Sequence, residues 1–121
     1  MFEKESTLVE RLVKRSRNSE LDWKASYGDS FQVSFKDNSV RIEKQENPGG
    51  EEPIYVIELI NADGAVVDSF TDFALDQTLG NMSNGPWYRM MGELFGLARR
   101  NALGADKVLN SILDDLDETE F

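Results

Sequence analysis

PIYVIELI, residues 53–60, is the stretch whose reading decides the fold. It is nearly continuously apolar and rich in Ile and Val, and Glu58 is its one charged residue. A run this short and this β-branched reads as a strand, and its lack of alternation predicts a central strand with both faces covered. Pro53 has no N–H to give a ladder, so it fits only at the strand's start.

Working outward, NADG (61–64) turns the chain into AVVDSF (65–70), a second strand; Asn61, Asp63 and Gly64 are strong hairpin residues. On the other side lies QENPGGEE (45–52), where Pro48, Gly49 and Gly50 break regular structure and the flanking acids keep the loop solvated. Before it, Val40 and Ile42 alternate with Arg41 and Glu43. FQVSF (31–35) alternates as cleanly, with Phe31, Val33 and Phe35 on one side. KDNS joins these two segments as a hairpin. The expectation is a four-stranded antiparallel meander in sequence order.

Helical periodicity appears at both ends. Leu8, Val9, Leu12 and Val13 form a stripe in residues 3–17, with Glu3 and Glu5 at the start and Lys14, Arg15 and Arg17 at the end, as the helix dipole favours. Leu21 and Trp23 then cover one end of the core. Thr71 or Asp72 caps a short helix ending at Gly80. Pro86 opens a helix that Gly104 stops. Asp106 caps a last helix containing Val108, Leu109, Ile112, Leu113 and Leu116. The fold class is therefore α+β: a two-layer sandwich whose four-stranded antiparallel meander is covered on one face by an N-terminal helix and two C-terminal helices. Residues 1–121 form a single domain, with an acidic tail frayed from 114.

Composition narrows the chemistry. The chain has neither Cys nor His, which removes disulfides, thiolate nucleophiles, Cys/His zinc sites and a His general base. Its net charge of -10 repels bare nucleic-acid backbones. No apolar run is long enough to span a bilayer and the N-terminus lacks a signal-peptide core, so the expected location is cytoplasmic. The sequence holds no phosphate loop, dinucleotide fingerprint or nucleophile elbow, and we expect no cofactor, metal or catalytic residue.

Candidate sites are weighed against ordinary structural roles. Lys14, Arg15, Arg17 and Lys24 form the densest basic patch, which dipole complementation on a solvated face explains. Asp114, Asp115, Asp117, Glu118 and Glu120 lack the spacing and glycine bend of a calcium loop. Asp68, Asp72 and Asp76 are close in sequence but have no nucleophile to assist. Glu58 needs a partner if buried, and Arg41 on the neighbouring strand is the obvious one. Trp23 and Trp87 are core residues by default.

RMMGELFGLARR (89–100) carries the sharpest oddity, two glycines one turn apart inside a helix. On a wheel of about 100° per residue, Trp87, Met90, Met91, Leu94, Ala98 and Ala102 share the sheet-facing arc. Gly92 and Gly96 fall roughly opposite, beside Arg89, Arg99, Arg100 and Leu103. Interior glycines cost about 1 kcal/mol each relative to Ala. Close packing of another element or docking of a partner on that face would offset the cost. Arg89, Gly92, Gly96, Arg99, Arg100 and Leu103 therefore form the candidate interface. The leading expectation is a non-enzymatic interaction protein that binds a protein partner or itself, with no direct contact to nucleic acid or membrane. One alternative is an acidic decoy of a nucleic-acid-binding protein acting through its carboxylates. The other is a small-ligand binder or enzyme with a pocket between sheet and helices near Glu58, Arg41 or Tyr55.

Overall fold

The chain runs α1 (Glu3–Arg17), β1 (Lys24–Ala25), β2 (Ser30–Ser34), β3 (Ser39–Gln45), β4 (Ile54–Ile60), β5 (Val66–Thr71), α2 (Asp72–Gln77), α3 (Pro86–Leu103) and α4 (Ala105–Glu118). This is a computed structural model, which describes residues 3–50, 52–77 and 85–118. The strands form one antiparallel sheet in the order β1-β2-β3-β4-β5, the meander expected from the short connections.

The sheet has five strands instead of four. The addition is β1, in which Lys24 pairs with Gln32 and Ala25 with Phe31. Two residues are too few for alternation to show. Their conformation is set from outside by the edge of β2 and by Trp23, which is fully buried. The Trp23 backbone N–H donates to Asn101 Oδ1 at 2.8 Å and its indole Nε1 donates to Ser16 Oγ at 3.0 Å. Those two bonds hold the segment between α1 and α3 and so lay residues 24–25 along β2.

Alternation along the strands sends Phe31, Val33, Val40, Ile42, Tyr55, Ile57 and Phe70 to one face. There they meet Val9, Leu12 and Val13 of α1 and Met91, Leu94, Phe95 and Ala98 of α3. Phe31 meets Phe95 edge-on with ring centroids 5.4 Å apart, a favoured aromatic geometry. Arg17 of α1 forks onto Glu93 of α3, Nε to Oε2 at 2.5 Å and Nη2 to Oε1 at 2.7 Å, and so ties the two helices together. The helices cover only this face. On the other, Val56 and Glu58 of β4 are half-buried, which corrects the expectation that β4 is covered on both sides.

Local turn chemistry follows the sequence closely. Asn61 Oδ1 accepts from the backbone N–H groups of Asp63 and Ala65, both at 3.0 Å, and Gly64 takes the positive φ of +86 that this turn requires. Thr71 Oγ1 accepts from the Ala74 N–H at 3.1 Å and caps α2. Gly80, the expected end of that helix, lies outside the described residues.

Gly104 adopts the left-handed conformation (φ 68) and stops α3; the chain then restarts as α4. Asp106 lies inside the first turn of α4 and accepts from Arg100 Nη2 at 2.8 Å, so it is not the cap. Residues 114–118, expected as a frayed tail, complete this helix. No residue of α4 is buried, and α4 packs against α3. The helical layer on the sheet is made by α1, α2 and α3, with Leu75 of α2 fully buried in it, and α4 is not part of it.

Candidate functional site

The sequence of α4, ADKVLNSILDDLDE, places Val108, Leu109, Ile112, Leu113 and Leu116 at i, i+1, i+4, i+5 and i+8. At about 100° per residue these five side chains share one stripe, the pattern a helix uses to bury itself. Here the stripe is uncovered: the five are 49–59% exposed, and Leu103 at the end of α3 is 51% exposed. Half-exposure of five aliphatic side chains leaves on the order of 400–500 Å² of apolar surface, within the ~300–600 Å² range of the largest patches on monomers, which are often functional.

The charges of α4 are distributed unevenly along its length. Asp114, Asp115, Asp117 and Glu118 occupy its last part, and its final turn carries no basic residue. Carboxylates at a helix C-terminus oppose the macrodipole, so this helix end favours a cationic neighbour. Lys107 lies near the other end, and Arg99 and Arg100 precede it on α3 as exposed residues.

The structure separates the residues expected to form an interface on α3. Gly92 does not lie opposite the sheet. A β-carbon built there would sit 3.4 Å from the Tyr55 ring, so Gly92 borders the cluster in which Tyr55 meets Tyr88 and Phe95. The wheel is misleading because Tyr55 is long enough to reach past the centre of the apolar arc. Gly96 does lie on open surface, with nothing within 4 Å of a β-carbon. Arg89, Arg99, Arg100 and Leu103 are exposed. Sequence reasoning placed the stripe of α4 in the core, so the larger apolar surface was missed. The pattern itself was visible, but it carries no mark of whether its cover lies within the chain.

Other charged groups are accounted for structurally. Arg41 Nε donates to Glu58 Oε1 at 2.8 Å, as the strand pairing predicts; the side chains are 13% and 17% exposed. Alternation puts this pair on the sheet face away from the helices, and the Arg41 guanidinium lies 4.6 Å from the Tyr27 ring centroid. The hydrogen bond to Glu58 raises the Arg41 pKa further, so the guanidinium stays charged. In the basic patch, Arg15, Arg17 and Lys24 are paired with Glu20, Glu93 and Asp22.

Asp72 and Asp76 are buried and satisfied. Asp76 is 1% exposed, and its two oxygens accept from the backbone N–H groups of Trp87 (2.9 Å) and Tyr88 (3.1 Å), so α2 supplies the N-cap of α3. Gly85 leaves room for this, since a β-carbon there would stand 2.5 Å from the Asp76 carboxylate. Asp72 accepts from the Tyr55 N–H at 2.7 Å, and burial pushes its carboxyl above the ordinary value. The Tyr88 hydroxyl donates to Glu52 at 2.8 Å, and its pKa is pushed up to about 12, by burial first and by that bond second. Between sheet and helices, where a ligand pocket was the alternative, stand the fully buried Ile42, Ile57, Leu75, Met91 and Leu94. No family model, curated protein or solved structure matches this chain. No helix among the described residues is long and apolar enough to cross a membrane.

Proposed function

We propose that the protein is a non-enzymatic interaction protein that docks through the apolar face of α4, with the exposed end of α3 beside it. The observation that carries this reading is a helix of 14 residues with a full apolar stripe and no buried residue. An isolated helix of this length is marginal in water, because most helical stability in proteins comes from packing an apolar face. The chain thus keeps a helix whose stabilising contacts lie outside the covered core. A net charge of -10 directs the surface towards protein and away from nucleic acid. A chain without cysteine suits a reducing compartment, and a cytoplasmic setting belongs to the same proposal.

The test compares co-purification by the tagged wild-type chain with that by Ile112→Asp and Gly96→Leu variants, at moderate salt in the host's lysate. A protein retained by wild type and lost with Ile112→Asp supports docking through α4. Loss with Gly96→Leu alone moves the site to the glycine face of α3. The same proteins retained by all three chains would overturn the reading.

A further inference from the structure

We infer that the apolar stripe of α4 docks into the groove between Leu8 of α1 and the end of the sheet on a second copy of this chain, and that the two copies exchange α4 reciprocally. This inference rests on the reading of α4 as the docking element and names what covers it.

The groove is the first argument. Leu8, Phe35, Val40, Leu59 and Val67 line an open depression of about 480 Å³ where the helices stop short of the end of the sheet. Phe35 and Val67 are exposed. Asn38, Ser39 and Asn61 complete the rim, and no charged residue among the described ones lines the floor. The chain therefore carries two uncovered apolar surfaces of opposite shape, a convex helix stripe and a concave groove.

Charge is the second. Five of the 13 basic residues of the chain lie on α1. Lys4, Leu8, Arg11 and Arg15 recur at i, i+4, i+7 and i+11, so three cations share the side of α1 that borders the groove. Arg15 pairs with Glu20, whereas Lys4 and Arg11 form no ion pair among the described residues. The stripe of α4 is edged by acids instead: at about 100° per residue, Asp115 adjoins Val108 on one side and Asp117 adjoins Leu113 on the other. Lys107 points away from the stripe on the same wheel and does not meet the cations of α1. Lys4 and Arg11 lie towards the start of α1 and the acids towards the end of α4, so α4 of the second copy runs antiparallel to α1. Its acidic end then lies at the positive end of the α1 dipole.

Area is the third. A standard interface takes ~800 Å² from each partner. In a reciprocal exchange each copy buries its α4 stripe in one contact and its groove in the other. At 400–500 Å² of apolar surface for each, the total is roughly 800–1,000 Å² per copy. The exchange closes on itself through a twofold axis and leaves neither apolar surface open.

Sedimentation equilibrium of the full chain from micromolar to sub-millimolar concentration tests this, at moderate salt. The expected mass is twice the 13.7 kDa of the chain. Ile112→Asp in the stripe and Val67→Asp in the groove should each weaken association by about a hundredfold. Lys4→Glu with Arg11→Glu should weaken it by about tenfold, and so should Asp114→Lys with Asp117→Lys. A mixture of those two charge-reversed chains should associate where each alone does not, an outcome that loss of folding does not mimic. The chain has no cysteine, so introduced ones report alone. Mixed Val67→Cys and Ile112→Cys chains should form the mixed disulfide in preference to either like pair. A preference for like pairs, a dimer unmoved by Val67→Asp, charge-reversed chains that fail to associate when mixed, or a monomer at every concentration overturns the inference. If the chain is monomeric while Ile112→Asp still strips a different protein from the co-purified set, only the second copy fails as partner. If that set is also unchanged, the docking role of α4 fails with it.

Discussion

At the scale of single residues, the end of α3 depends on a carboxylate from another helix. Asp76 satisfies two N–H groups that α3 cannot bond itself. Asp76→Ala removes a cap and leaves buried donors unpaired, so chemical denaturation should show a loss of about 2–3 kcal/mol. The sequence offered Asp76 only as one of three nearby acids, because its partners lie beyond residues 78–84 and no local pattern links it to them. Arg41 and Glu58 were legible, since strand register alone brings them opposite each other. Gly96 is the reverse case, a residue whose oddity was plain and whose surroundings were not. With open space where its β-carbon would be, Gly96→Ala should stabilise the fold by about 1 kcal/mol, seen as a rise of a few degrees in Tm. A fall in Tm would mean that another molecule already packs against that glycine.

Among the elements, those defined by their own periodicity were the readable ones. The limits of α1 and α3, the β2–β3 and β4–β5 hairpins and the Thr71 cap all follow from local patterns or turn residues. Elements defined by a neighbour were not. Lys24 and Ala25 are a strand only because Trp23 is anchored and β2 has a free edge. The stripe of α4 reads the same whether its cover is a sheet in the same chain or a surface outside it. This difference has a measurable counterpart. In the Ile112→Asp variant, amide hydrogen exchange should show residues 106–118 fully open, while the amides of β3 and β4 keep their protection. Equal loss of protection in the central strands would mean that α4 contributes to the main core.

Across the whole molecule, acid stability carries opposing contributions. Burial raises the Asp72 carboxyl above its ordinary 3.8, so the folded chain holds that proton more tightly than the unfolded chain does. The resulting stability is fully present below 3.8 and is lost as pH rises through the folded value. Glu93 acts in the other direction: Arg17 lowers its pKa below 4.5, so its stability is present above 4.5 and lost as pH falls through the folded value. Asp72→Asn keeps an oxygen for the Tyr55 N–H and removes only the first contribution. Urea unfolding at a series of pH values should then show the variant gaining on wild type as pH rises above 3.8, and a constant difference would remove Asp72 from the account. The order of the strands has a different consequence, for the chain in the making. Every strand pairs with its neighbour in sequence, so the sheet can zip up locally as it is synthesised. Helix α1 packs chiefly on an element far along the chain: Arg17 meets Glu93 of α3 at a separation of 76 residues, and Trp23, just after α1, meets Asn101 at 78. Because α1 is made well before α3, the cover of Val9, Leu12 and Val13 is complete only once α3 has followed, and the docking of α1 on α3 is a late step that closes the fold.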